Sequence, residues 1–123
     1  MDNNPGLVKT GEVSKILGVR PQRLRKYYNS SIVPGLRPMR LGKHRTFTPE
    51  QIDYLRQAVW LSRAGFTRKD LREYVKLTQK ADKASRARRG EMLRTHKRQV
   101  WQQLEDLQAT IDYLERQEEL LLQ

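Results

Sequence analysis

The sequence contains no cysteine, which excludes disulfides, thiolate metal ligands and cysteine redox switches. Histidine is scarce too: His96 is the only other one that could join His44, so without thiolates a zinc site is not expected. Neither a metal nor another cofactor is expected. No apolar run approaches the roughly 20 residues that a membrane-spanning helix requires, and no secretory hydrophobic segment is present. These absences predict a soluble, cytoplasmic protein without a membrane partner. Paired carboxylates, a nucleophile–base set and a glycine-rich phosphate loop are also missing, so the expectation is a non-enzyme.

Acidic residues are the next scarcity. The chain carries 25 Lys and Arg against 14 Asp and Glu, a net charge of +11 with a pI near 10.3. Such an excess attracts polyanions, nucleic acid above all. The imbalance is local: residues 1–90 hold 21 of the basic and 7 of the acidic residues, net +14, and the remainder is net −3. A basic front that meets the polyanion and an acidic tail that meets protein follow from this split. With 123 residues, the chain has room for one small domain and an appendage.

Residues 1–6 are polar with two breakers, Pro5 and Gly6, and predict a disordered start. A helix is expected from Thr10, whose hydroxyl can cap it, to Gly18, with Val13, Ile16 and Leu17 as its apolar face. Pro21 suits the first turn of a second helix, with Leu24, Tyr27 and Tyr28 inward. Helix, short glycine-containing turn and helix make a helix-turn-helix pattern. Between Ile32 and Phe47, Pro34, Gly35, Pro38 and Gly42 break any helical period, so a hairpin or wing around Gly42-Lys43 is predicted. Thr48-Pro49-Glu50-Gln51 signals a helix start. Ile52, Leu55, Val59 and Trp60 then recur inward until Gly65. Thr67 with Asp70 opens another helix, with Leu71, Tyr74 and Val75 facing the core.

The expected architecture is mainly α: a winged helix-turn-helix domain over residues 7–78, followed by a long coiled-coil dimerisation helix over 91–123. Residues 79–90, rich in Lys, Arg and Ala, form either a basic connector or the solvated start of that helix, and Gly90 weakens a helix there. From residue 91 onward Leu93, Val100, Leu107, Leu114 and Leu121 recur every seven residues, with Leu104 and Ile111 in the alternate positions, a seam for another helix. Folding back onto the front domain is disfavoured, because about 30 residues of helix span about 45 Å, longer than a small domain is wide. Lys97 and Glu118 interrupt the seam near its ends and suit an antiparallel homodimer.

In a helix-turn-helix the second helix enters the major groove. Its outward residues here are Arg20, Gln22, Arg23, Arg25 and Lys26; Arg can fork onto guanine and Gln onto adenine. Arg37, Arg40, Lys43 and Arg45 on the wing suit phosphates or a minor groove, with His44 beside them. Tyr27, Tyr28, Tyr54, Trp60 and Phe66 are of the types that stack on bases, but their helical spacing with Leu and Ile favours core packing; Tyr27 alone retains a phosphate contact.

Lys9-Thr10-Gly11-Glu12-Val13 with Gly18-Val19, Leu24-Arg25-Lys26-Tyr27, His44-Arg45-Thr46-Phe47 and Ala64-Gly65-Phe66-Thr67 stand in an order and spacing that resembles the winged-helix DNA-binding domain of MerR (mercury-resistance) regulators. The heptad helix is similar to that family's antiparallel dimerisation helix. The resemblance covers nearly the whole chain after Leu7, as in compact members without a separate effector domain. It implies that Arg25 and Tyr27 hold DNA, that Arg45 works from the wing and that Arg63 touches phosphate, with Thr10 in the same DNA-facing set. Lys26 and Tyr28 stand where an aromatic and an acid are usual, and Arg20 replaces a hydroxyl cap. The resemblance further implies a pseudo-palindromic promoter operator, distorted so that RNA polymerase engages overlong-spaced promoter elements; any small-molecule effector stays unknown. Two other readings are an architectural DNA-bending protein of the excisionase type, which would lack the long heptad helix, and a coiled-coil adaptor, which would leave Arg23 and Arg25 without a role.

Overall fold

The computed structural model describes residues 6–29, 39–41 and 44–123. Two short helices, α1 (Thr10–Leu17) and α2 (Pro21–Asn29), form the helix-turn-helix. Gly18 ends α1 at φ 67°, ψ 33°, a left-handed conformation that only glycine adopts without strain. Ser14 ties the turn: its carbonyl accepts from the Val19 N–H at 3.1 Å, and its hydroxyl donates to the Val19 carbonyl. The Arg20 carbonyl then accepts from the Arg23 and Leu24 N–H groups at 2.9 and 3.2 Å, launching α2 with Pro21 in its first turn.

Two expectations for α1 are corrected. Its start is flanked by Lys9 without a side-chain cap; the Thr10 hydroxyl instead donates to the Arg45 carbonyl at 3.3 Å, joining the helix to the wing. Ile16 is 55% exposed, because the inward arc runs through Val13, Ser14 and Leu17, where Ser14 turns to the Val19 carbonyl.

The wing is a hairpin of β2 (Met39–Leu41) and β3 (His44–Phe47), paired antiparallel with Leu41 opposite His44 and Met39 opposite Thr46. A strand that the sequence pattern did not suggest, β1 (Val8–Lys9), pairs with the other edge of β3, giving the order β1-β3-β2. Two residues are too short for a visible alternation. Thr46 and Phe47 are almost fully buried, which roots the wing in the core.

Helices α3 (Pro49–Arg63) and α4 (Arg68–Thr78) each open with a complete capping box. Thr48 and Gln51 exchange bonds of 2.9 and 3.2 Å, and Thr67 and Asp70 do so at 3.1 Å each way. Such caps are worth about 1 kcal/mol each. Between them Gly65 adopts φ 95°. The core joins Val13, Leu17, Leu24, Tyr27, Tyr28 and Phe47 to Ile52, Leu55, Val59, Phe66, Leu71 and Val75. Trp60, expected inward, is 61% exposed: at 100° per residue it lies about 140° round α3 from Leu55, away from the core.

The last helix, α5, runs unbroken from Lys83 to Leu121, 39 residues and about 58 Å at 1.5 Å per residue. The expected boundaries, a connector over 79–90 and a helix from 91, are corrected: the helix begins at Lys83 and Gly90 lies inside it. Asp82 explains the early start, since its carboxylate accepts the Ser85 N–H at 2.7 Å and Ala, Arg and Lys are good helix formers. Ser85 and Met92 are buried, and His96 stacks on Phe66 with centroids 4.1 Å apart and its Nε2 3.6 Å from Asp70. Arg88 donates to Glu73 of α4 from Nε at 2.8 Å and from a terminal nitrogen at 3.3 Å. These hydrogen bonds hold the Glu73 carboxyl below its ordinary range and raise the pKa of Arg88. From Lys97 onward every residue is exposed.

Candidate nucleic-acid interface

The turn after α1 points the first turn of α2 toward the α3–α4 junction, and an open cleft of about 580 Å³ lies between them. Arg20, Gln22, Arg23, Lys26 and Tyr27 line it from the helix-turn-helix side, with Gly18 and Val19 at the turn; Ser62, Arg63, Phe66, Arg68 and Leu71 line the other. Five of these residues are cationic, and among the described residues no carboxylate lines the cleft. A concave surface with one sign of charge concentrates field lines, so a polyanion is drawn into it.

The structure thus brings together six residues singled out from sequence: Arg20, Gln22, Arg23, Lys26, Tyr27 and Arg63. Arg25 stands apart. It is exposed on α2 outside the cleft lining, three residues beyond Gln22, and so shares an outward face with it. Tyr27 lines the cleft although it is only 5% exposed, so packing is its main work. Thr10 is half-buried with its hydroxyl committed to Arg45.

On the wing, Arg45 lies with its guanidinium 4.9 Å from the Tyr28 ring centroid, and Tyr28 in turn packs at 5.4 Å against Phe47. Stacking of Arg45 on an α2 residue fixes the wing relative to the helix that would enter a groove. Arg40 and His44 face each other's strands in the hairpin backbone, Arg40 opposite Arg45 and His44 opposite Leu41. Arg37 and Lys43 lie outside the described residues.

Arg68 and Ser62 are cleft residues that sequence reasoning missed. Arg68 had a signal: it directly follows the capping Thr67, so a cation occupies the first turn of α4. There it opposes the helix dipole, a cost that a bound anion would offset. Ser62 carries no comparable mark.

The seam residues of α5 form an exposed apolar stripe. Leu93, Val100, Leu104, Leu107, Ile111, Leu114 and Leu121 are between 41% and 86% exposed, and no element among the described residues covers them. Contiguous apolar surface of this extent marks an interaction site.

The family model described as MerR HTH family regulatory protein matches residues 8–78, and that described as MerR, DNA binding matches residues 52–117. No curated protein matches the chain. Among solved structures it is similar to a MerR family transcriptional regulator from Bacillus thuringiensis, 18% identical, covering 90% of this chain and 96% of that one with a TM-score of 0.73. It is also similar to HiNmlR, a MerR family regulator lacking the sensor domain, crystallised bound to promoter DNA; identity is 22%, coverage 90% and 86%, and the TM-score 0.71. A match over more than half of the chain, falling on the helices that build the cleft, makes this protein a member of the MerR helix-turn-helix regulatory family.

Proposed function

We propose that the protein is a transcriptional regulator that binds a pseudo-palindromic promoter operator as a homodimer and distorts it. The observation that carries this reading is the cationic cleft beside α2, with Arg20 exposed in the turn before it and Gln22, Arg23 and Arg25 exposed on the helix. Arg25 and Gln22 read base edges; Arg20, Arg23, Lys26, Arg63 and Arg68 hold phosphates; Arg37, Arg40, Lys43, His44 and Arg45 work from the wing. Tyr27 and Thr10 set the backbone against the DNA.

Dimerisation is supported by the uncovered stripe from Leu93 to Leu121, which a second copy would bury with Lys97 of one helix near Glu118 of the other. A twofold axis through that coiled coil matches the symmetry of an inverted repeat. Distortion of the operator would let RNA polymerase engage promoter elements otherwise spaced too far apart. The relative crystallised on promoter DNA supports a regulator that acts at a promoter. We read the chain as a non-enzyme acting in the cytoplasm at the nucleoid; no described helix is long and apolar enough to cross a membrane.

Selection of host genomic fragments with the purified protein at physiological salt tests the reading. Inverted repeats between overlong-spaced promoter elements are expected. Diffuse binding, or sites clustered at recombination junctions, would replace the regulator with an architectural DNA-bending factor. Sedimentation of the free protein should give a dimer.

A further inference from the structure

The outer face of α3 presents two arginines in contrasting situations. Arg56 is neutralised by Asp53, at 2.6 Å. Arg63, two turns on, has its guanidinium 4.9 Å from the centroid of the Trp60 ring, and among the described residues no carboxylate pairs with it. Trp60 is 61% exposed and adds little to the core, so its side chain needs another explanation. Residues three apart are neighbours on a helix, and this pair sits in the last turn of α3, where Arg63 lines the cleft together with Arg68, Arg20 and Arg23.

The two kinds of contact leave an arginine with different resources. A carboxylate partner cancels the charge and occupies N–H donors. An aromatic face attracts the cation through its quadrupole, leaving the charge intact and the donors in the guanidinium plane open for a phosphate fork. It also restricts a long, rotamer-rich side chain before any ligand arrives, which lowers the entropic cost of binding.

We propose that Trp60 is a positioning residue for DNA: its indole face holds Arg63 at the rim of the cleft, set to engage a backbone phosphate. The proposal rests on the DNA-binding reading above.

The test is the affinity of the full chain for a fluorescein-labelled mixed-sequence DNA duplex across a salt series, which reads phosphate contacts without knowledge of the operator. Arg63→Ala should lower the slope of log K against log salt by about 0.9, the loss of one phosphate. Trp60→Ala should weaken binding about two- to tenfold, in line with a cation–π contact, with an unchanged unfolding temperature. Trp60→Phe should retain most of the affinity, because it keeps a ring. The double variant should bind no more weakly than Arg63→Ala, since the platform acts only through Arg63.

Wild-type affinity in Trp60→Ala, a loss fully additive to that of Arg63→Ala, or Trp60→Phe behaving like Trp60→Ala would each overturn the proposal. An Arg63→Ala variant that binds like the wild type would overturn it while leaving the DNA-binding reading intact. A wild-type chain that does not bind the duplex sinks both.

Discussion

Arg25 and Arg23 sit two residues apart on the same helix, yet the fold assigns them different surroundings. Arg23 lines the cationic cleft and Arg25 does not. On the DNA-binding reading proposed above, Arg23, gathered with Arg20, Lys26, Arg63 and Arg68, would meet the strand backbone, whereas Arg25, turned outside that cationic cluster, would meet the groove floor. Arg25→Ala should therefore cost about 1–3 kcal/mol on operator DNA and much less on random duplex, whereas Arg23→Ala should cost both alike and reduce the salt slope by about 1. Competition binding against the two DNAs separates these outcomes; equal losses for Arg25→Ala would move it to the phosphate class. Most of this set was legible at the level of single letters, because clustered Arg and Gln just after a glycine turn have few other uses. Trp60 was misread for an equally local reason. Its apolar indole suggests burial, whereas the angular count from Leu55 already turns it about 140° away from the core.

At the scale of elements, caps were the most readable feature. Thr48-Gln51 and Thr67-Asp70 announce α3 and α4 by chemistry confined to four residues, and Gly18 marks the end of α1. The start of α5 was harder, since Asp82 precedes a polar run that resembles a linker and Gly90 argues against a helix. What settles it is tertiary: Met92 completes the core, and Arg88 reaches Glu73 on α4. The Glu73 carboxyl titrates below its unfolded value. Its pairing therefore contributes stability fully above the unfolded carboxylate pKa, and that contribution is lost as pH falls through the lowered folded value. Thermal unfolding followed from neutral to acid pH should show this decline, and Glu73→Gln should flatten it. An unchanged acid limb would mean that the pair does not fasten α5 to α4. A cut through α5 also has two distinct effects. Ending the chain after Lys97 keeps Met92 and His96 in place but removes the seam from Val100 onward, so a folded monomer with weakened operator binding is expected by sedimentation and titration. Ending it before Glu91 removes Met92 as well, and the unfolding temperature should fall, as loss of a buried side chain costs about 2–5 kcal/mol.

Considered as a whole, the molecule is a small basic head rigidly continuous with a long helical arm. No loop separates the helix that packs against α4 from the helix that carries the seam; they are one element from Lys83 to Leu121. In the proposed dimer this continuity makes the arm a gauge. Both the distance between the two heads and their rotation about the arm are fixed by a residue count, since each residue adds about 1.5 Å and about 100°. One residue inserted after Lys97 should throw the seam out of phase with the residues that grip the head, and operator binding should be lost. A heptad inserted at the same point nearly restores the phase while lengthening each arm by about 10 Å, or about three base-pair steps. Selection with that longer protein should then recover inverted repeats with altered half-site separation, so the span of DNA recognised would be written in the length of a helix that never touches it.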